Sequence, residues 1–114
     1  MRILLLKPEW GEKILSGEKC WEIRGSDTKI RERIAIAYSK TSLKYGEATL
    51  VNSFALTKEL FERNFDKHRI PGTWDDCCKV YKNPVVWELS KPEQYAEPVK
   101  YNHPRGAVIW VNEK

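Results

Sequence analysis

The sequence predicts an α+β domain, a small curved β-sheet or pseudo-barrel with two to three short helices packed against it. The chain has 114 residues, the size of one domain with one hydrophobic core. Its apolar segments follow the order strand, helix, strands, helix, strands. The later strands are joined by turns, which favours a mixed or antiparallel sheet. We therefore expect residues 1–114 to form a single domain.

The first predicted elements are a buried strand and a short helix. Residues 2–6 form the apolar run RILLL, which is typical of a buried strand. Pro8 follows where the first helical turn would begin, a position that suits its fixed φ and its missing N–H. Gly17 stands where a left-handed residue would end the helix. These signals predict a helix over residues 8–16.

The next segment, residues 20–24, is predicted to be a half-buried strand. Side chains alternate between the two faces of a strand, so Trp21 and Ile23 share the face that packs on the core. The opposite face then carries Cys20, Glu22 and Arg24. We expect that face to meet a polar environment.

Four further strands and two helical segments complete the prediction. The strands are expected over residues 33–38, 46–56, 85–89 and 107–111. Thr57 can cap a helix that runs to about residue 64, and a helical turn is predicted from Trp74 to Tyr81.

The composition indicates a cytoplasmic protein with no membrane partner. Hydrophobic residues make up 41% and charged residues 32% of the chain, as in soluble globular proteins. The apolar segments are too short to span a bilayer, and the first ten residues do not resemble a signal peptide.

The cysteines indicate neither a disulfide framework nor a metal centre. Their number is odd, and Cys20 is far in sequence from the adjacent pair Cys77 and Cys78. His68 and His103 are not spaced from them as zinc ligands. We expect three reduced thiols, no metal site and no cofactor.

The positive charge is concentrated in one stretch of the chain. The net charge is +4, and residues 24–44 carry six basic and two acidic side chains. Such a local field attracts polyanions, most commonly nucleic acid, although a lysine-rich soluble surface is equally compatible with it. Within this stretch, Lys29, Arg31 and Arg33 are predicted to contact a nucleic-acid backbone.

The stretch GEKCWEIRG, residues 17–25, combines groups that can recognise a nucleotide. Arg24 offers a planar fork for phosphate, carboxylate or a base carbonyl. Glu22 can accept a hydrogen bond from an exocyclic amine, and Lys19 supplies a positive point charge. The alternative is a surface ion pair between Glu22 and Arg24, worth about 0–1 kcal/mol.

This stretch resembles the signature GxKxxExR of the ASCH domain, a branch of the PUA-like superfamily. The matching positions are Gly17, Lys19, Glu22 and Arg24. The run LLLKPEWGEKILSGEK resembles the opening strand and helix of that family, and YNHPRGAVIWV resembles its closing segment. The resemblance covers nearly the whole chain and is loosest between residues 61 and 81. It implies a PUA-like pseudo-barrel with a cleft beside the motif strand.

The resemblance also implies a function. ASCH domains are proposed to bind RNA, so we expect RNA or a nucleotide-like ligand in a charged cleft between the first helix and strand 20–24. The expected ligand-binding residues are Lys19, Glu22, Arg24, Trp10, Trp74 and Arg105, where the two tryptophans could stack on a base and Arg105 could contact phosphate. His103 is interpreted as a packing or capping residue.

Two enzyme activities and one structural role are the alternatives. Some small bacterial members resemble amidohydrolases that act on N4-acetylated cytidine, and others are reported as metal-dependent ribonucleases. In the amidohydrolase-like relatives a lysine, a threonine and a downstream glutamate form the catalytic set. Lys19 matches the lysine, Glu22 replaces the threonine, and the downstream acid could be Glu59 or Glu62. If the chain is an enzyme, Lys19 and Glu22 are the expected catalytic residues. The third possibility is a protein-interaction module in which the motif only stabilises the fold.

Overall fold

A computed structural model describes residues 1–113 as a curled sheet of six strands with four short helices. The strands are β1 (Arg2–Leu6), β2 (Trp21–Arg24), β3 (Arg33–Tyr38), β4 (Leu43–Ala55), β5 (Val85–Lys100) and β6 (Trp110–Asn112). The helices are α1 (Pro8–Ser16), α2 (Lys58–Arg63), α3 (Phe65–His68) and α4 (Trp74–Val80).

The order of strands in the sheet is β2-β5-β4-β3-β1-β6. Only the pair β1–β3 is parallel, and the other pairs are antiparallel. The sheet curls into a half-barrel, and the predicted α+β class with a small curved sheet is confirmed. Over the described range, none of the helices has the length and apolar character needed to cross a bilayer.

Local signals place α1 where the sequence predicts it. Pro8 is the first helical residue, and Gly17 ends the helix in the left-handed region with φ 88°. Gly11 lies directly against the ring of Tyr38 in β3, so close that a Cβ atom would be 2.4 Å from Cε1 of that ring. Only glycine allows α1 to approach the sheet this closely.

Two predicted strands begin at different residues in the structure. The strand expected over 46–56 begins at Leu43, because it continues to pair with β3 beyond a register shift. The last strand is confined to Trp110–Asn112, because a turn at residues 105–106 is followed by a bend at residues 108–109.

The strand expected over residues 85–89 continues to Lys100, because it pairs with β4 along its whole length. Beyond residue 88 this strand contains Pro92 and Pro98. Proline is tolerated there because β2 pairs only with residues 85–88, which leaves an edge where the missing N–H has no strand to pair with.

The helical region between β4 and β5 is broken into three pieces. Thr57 caps α2 by accepting from the N–H of Leu60, as predicted. Thr73 caps α4 in a reciprocal capping box with Asp76. These helices cover one face of β2 and enclose an apolar cluster that includes Trp21, Ile23, Leu56, Phe61, Cys77 and Val86.

Candidate functional site

Lys19 is buried beneath the end of α1, although it is charged in its ordinary state. Only 2% of its surface is exposed. Its N–H donates to the carbonyl of Lys13 at 3.0 Å, which is possible because Gly17 turns the chain back against the helix. Its Nζ donates to the backbone carbonyl of His68 and lies 4.8 Å from the ring centre of Trp10. The helix cap therefore fixes where the ammonium points.

Glu22, in the middle of β2, is also buried, with 6% of its surface exposed. Its carboxylate accepts from Nε of Arg24 at 3.0 Å. The same guanidinium donates through Nη2 to the carbonyl of Leu5 at 3.0 Å and lies 5.4 Å from the ring centre of Trp87. Arg24 thus orients Glu22 and joins edge strand β2 to β1.

Lys19 and Glu22 line one cavity of about 320 Å³. It is bounded by the start of α1, by β2, and by the segment that leads into and through α4. Aromatic side chains form part of its wall, and the opening carries charged residues of both signs. The other lining residues are Lys7, Glu9, Trp10, Ile23, Ile70, Pro71, Asp76, Cys77, Val80 and Tyr81.

Burial changes the acid–base properties of both charged groups. It lowers the pKa of Lys19 from 10.5 to about 8, with Glu22 opposing the shift. It also raises the pKa of Glu22, while the charges of Arg24 and Lys19 oppose that shift. The cavity therefore holds an amine with a pKa of about 8 and a carboxylate held in place by arginine.

The shifted pKa of Lys19 predicts a pH dependence of stability. The folded protein loses this proton at about pH 8 and the unfolded chain at 10.5, so the unfolded chain binds more protons between these values. The contribution of Lys19 to the free energy of unfolding therefore rises with pH across that window. Urea denaturation measures the free energy of unfolding of the wild type and of Lys19→Met. The wild-type value minus the variant value should be larger above pH 8 than below it. If the difference between the two free energies of unfolding does not change with pH, the pKa of Lys19 is not lowered in the folded protein.

The other predicted ligand-binding residues lie in different places in the fold. Trp10 lines the cavity, but Arg24 lies behind it. Trp74 lies in a neighbouring groove, where it packs against Phe61 with ring centres 5.8 Å apart. Arg105 is exposed in the turn before β6. Of the six, Lys19, Glu22 and Trp10 line the cavity, and Arg24 contacts it only through Glu22.

The three basic residues predicted to contact a nucleic-acid backbone differ in their surroundings. Lys29 is exposed. Arg31 is also exposed, but its guanidinium donates to two backbone carbonyls and to Ser53. Arg33 forms an ion pair with Glu47 at 3.1 Å, so its charge is already balanced by a carboxylate of the same chain.

The two acids considered as downstream partners of Lys19 lie outside the cavity. Glu59 pairs with Arg63 on the exposed side of α2 at 3.1 Å. Glu62 lines the neighbouring groove that contains Trp74. Of Glu22, Glu59 and Glu62, Glu22 is the acid that lines the cavity together with Lys19 and Trp10.

His68 was not predicted as a site residue, yet it holds Lys19 in place. It is fully buried, and its Nδ1 accepts from the N–H of Ile70 at 2.9 Å. Its Nε2 therefore carries the proton and donates to the carbonyl of Phe61 at 2.8 Å. Burial lowers the pKa of this imidazole and favours the neutral form. No local sequence signal links His68 to Lys19, 49 residues away.

No disulfide joins the three cysteines, all of which the structure describes. Cys77 is buried in the cavity wall, and Cys20 and Cys78 are half-buried. Within residues 1–113, no three His, Cys, Asp or Glu side chains are grouped so that they could hold one metal ion.

The curled half-barrel with short helices packed on it gives this chain an α+β fold of the PUA-like type. The profile of the ASCH domain matches residues 4–103, and the chain belongs to the ASCH domain family. The resemblance carried by the motif at residues 17–24 is thereby confirmed at the level of the family.

Three solved structures of an ASCH protein from Zymomonas mobilis share this fold. The unmodified protein is 17% identical, with a TM-score of 0.69 over 87% of this chain and 72% of that chain. A tyrosine-to-phenylalanine variant is 18% identical, with a TM-score of 0.71 over 87% and 74% of the two chains. A serine-to-alanine variant is 16% identical, with a TM-score of 0.75 over 99% and 87%. No functionally curated protein matches the sequence.

Proposed function

We propose that this chain binds RNA or a nucleotide-like ligand by enclosing one base in the cavity between α1 and β2. The observation that carries the proposal is that Lys19 and Glu22, both buried, line the same cavity. Burying a charge is costly, and apolar residues of similar size would stabilise a core at least as well. A lysine and a glutamate at the wall of a cavity are therefore better explained by recognition than by stability.

The side chains of the cavity match the chemistry of a nucleobase. Glu22 can accept from an exocyclic amine, and Lys19 can donate to a ring carbonyl. Trp10 and Tyr81 add aromatic surface, on which a base can stack for about 1–3 kcal/mol. A volume of about 320 Å³ admits a ligand of that size. RNA binding is also the function proposed for ASCH domains.

Replacing Glu22 with glutamine tests the role of the carboxylate. We expect weaker binding of cytidine, adenosine and guanosine by about tenfold, since a neutral amide accepts less strongly than a carboxylate. Uridine has no exocyclic amine, and its affinity should change little. Isothermal titration of the four nucleosides measures both effects.

Glu18→Gln is the matched control, because Glu18 is exposed in the loop just before Lys19. It removes the same charge from the same region without touching the cavity. Equal losses for all four nucleosides would mean that Glu22 does not read a base edge. Absence of nucleoside and RNA binding, together with a lower melting temperature for Glu22→Gln, would instead favour a structural role for the motif.

A second candidate function is hydrolysis of an N4-acylated nucleoside. The observation that favours it is the pKa of about 8 for Lys19, which leaves part of the amine neutral and able to accept a proton near pH 8. Neutral Lys19 would accept a proton from water as the water attacks the acyl carbonyl. The bond between N4 and the acyl carbon would then break, and the proton would pass to N4, which leaves the free nucleoside and acetate. Release of acetate from N4-acetylcytidine, faster as the pH rises toward 8, would support this function. Absence of acetate over that pH range would exclude it.

A further inference from the structure

A second cavity, of about 410 Å³, lies at the carboxyl ends of the parallel strands β1 and β3. It is lined by Leu5, Ser39, Lys40, Ser42, His103, Ala107 and Val108, and it shares no lining residue with the base cavity. Carboxyl ends of neighbouring parallel strands are common places for ligands.

The two cavities lie on either side of the junction between β1 and α1. Leu5 lines the second cavity, and Lys7 lines the base cavity. Two residues of extended chain span about 7 Å. The N–H of Ser39 donates to the carbonyl of Leu6 at 2.8 Å, which fixes the wall of the second cavity against this junction. One nucleotide can bridge such a distance, with its base on one side and its phosphate on the other.

The surroundings of the second cavity are basic. Neither residues 38–46 nor residues 98–109 contain an acidic side chain. Lys40 and Arg105 are exposed there and belong to none of the ion pairs within residues 1–113. Lys44 is different, because its charge is paired with Glu113. The unpaired charges near this cavity are therefore positive, which suits an anion.

The turn between β3 and β4 also presents donors to this cavity. Ser39 and Ser42, each of which carries a hydroxyl donor, line it. The backbone N–H groups of Lys40 and Ser42 donate to no acceptor within the described part of the chain. Both residues have positive φ, 68° and 58°, which a non-glycine residue adopts infrequently. A turn in which the backbone alternates between right-handed and left-handed conformations can form a concave group of N–H donors that binds an anion.

We propose that this cavity is a phosphate subsite continuous with the base cavity, so that a nucleotide or an RNA strand binds more tightly than a free nucleoside. This inference rests on the proposed function. Lys40 and the donors of residues 39–42 would contact the phosphate, while Lys19 and Glu22 contact the base.

Lys40→Gln tests the subsite, with Lys58→Gln as the matched control, because Lys58 is an exposed lysine at the start of α2. The probes are the four nucleosides, their 5′- and 3′-monophosphates, and inorganic phosphate, titrated calorimetrically. In the wild type, a monophosphate should bind about tenfold more tightly than its nucleoside, as expected for charge-assisted hydrogen bonds. In Lys40→Gln the ratio of the two affinities should fall to about one, and in Lys58→Gln it should stay at the wild-type value.

A ratio near one in the wild type, or a ratio that persists in Lys40→Gln, would overturn the inference. If nucleosides still bind and require Lys19, only the phosphate subsite has failed. If no nucleoside or monophosphate binds, the proposed function has failed with it. Inorganic phosphate distinguishes the source of the anion. If it shifts the amide resonances of residues 39–42 while monophosphates gain nothing over nucleosides, the cavity is an independent anion site and the continuity is refuted.

Discussion

Replacing Lys19 with methionine is expected to abolish nucleoside and RNA binding while leaving the chain folded. Methionine is unbranched, apolar and adaptable, so it can occupy the buried space of the lysine stem. It cannot donate to a ligand, nor can it supply a charge near Glu22. Removing a buried charged group that contacts a ligand costs about 2–5 kcal/mol in binding, which corresponds to a loss of affinity of roughly thirtyfold or more.

The measurement is calorimetric titration of nucleosides and short RNAs, with thermal unfolding as the check on folding. Lys13→Met is the matched control. Lys13 is a half-buried lysine of α1 that lies close enough to Lys19 to influence its pKa, but it does not line the cavity. Wild-type affinity in a folded Lys19→Met variant would show that the ligand binds elsewhere. A similar loss in Lys13→Met would show that only the general positive field matters.

The local parts of this site could be predicted from sequence because their signals lie close together in the chain. Pro8 and Gly17 mark the ends of α1, and the alternation of residues in β2 places Trp21 and Ile23 in the core. The left-handed cap at Gly17 then fixes the position of the Lys19 backbone. Each of these features depends on backbone preferences over a few residues.

The remaining parts depend on tertiary contacts that have no local signal. The carbonyl that accepts from Lys19 belongs to His68, and the far wall of the cavity comes from Ile70 to Tyr81. That segment is also where the family resemblance is loosest. Its helices are short, and they are positioned by packing on β2 and not by a strong helical pattern.

Arg24 shows how the surroundings of a side chain can differ from those that the sequence predicts. From sequence, its guanidinium was expected to meet the ligand. In the structure the guanidinium donates hydrogen bonds to Glu22 and to the carbonyl of Leu5, and it lies over the ring of Trp87. Alternation along β2 could place Arg24 beside Glu22, but the approach of β1 depends on the curl of the whole sheet. Its proposed contribution to binding is therefore to position Glu22.

Replacing Gly46 with alanine is expected to cause the largest loss of stability. Gly46 lies at a register shift between β4 and β5, beneath α1. A Cβ atom there would be 2.4 Å from the backbone oxygen of Glu93 and 2.7 Å from Cδ2 of Leu15. Backbone on one side and a packed core side chain on the other leave little room for adjustment. Overpacking of this kind costs about 3 kcal/mol, which lowers the melting temperature by roughly 10 °C in a domain of this size.

Gly25→Ala provides the matched control, because a Cβ atom there would be 3.5 Å from the ring of Tyr81, an ordinary contact. Its melting temperature should stay close to that of the wild type. The effect of Gly46→Ala should extend to the site, because Leu15 belongs to the same helix that carries Trp10 and whose end positions Lys19. We therefore expect weaker nucleoside binding even at temperatures where the variant is folded. If Gly46→Ala binds normally below its lowered melting temperature, the geometry of the cavity does not depend on the packing of α1 against β4 and β5.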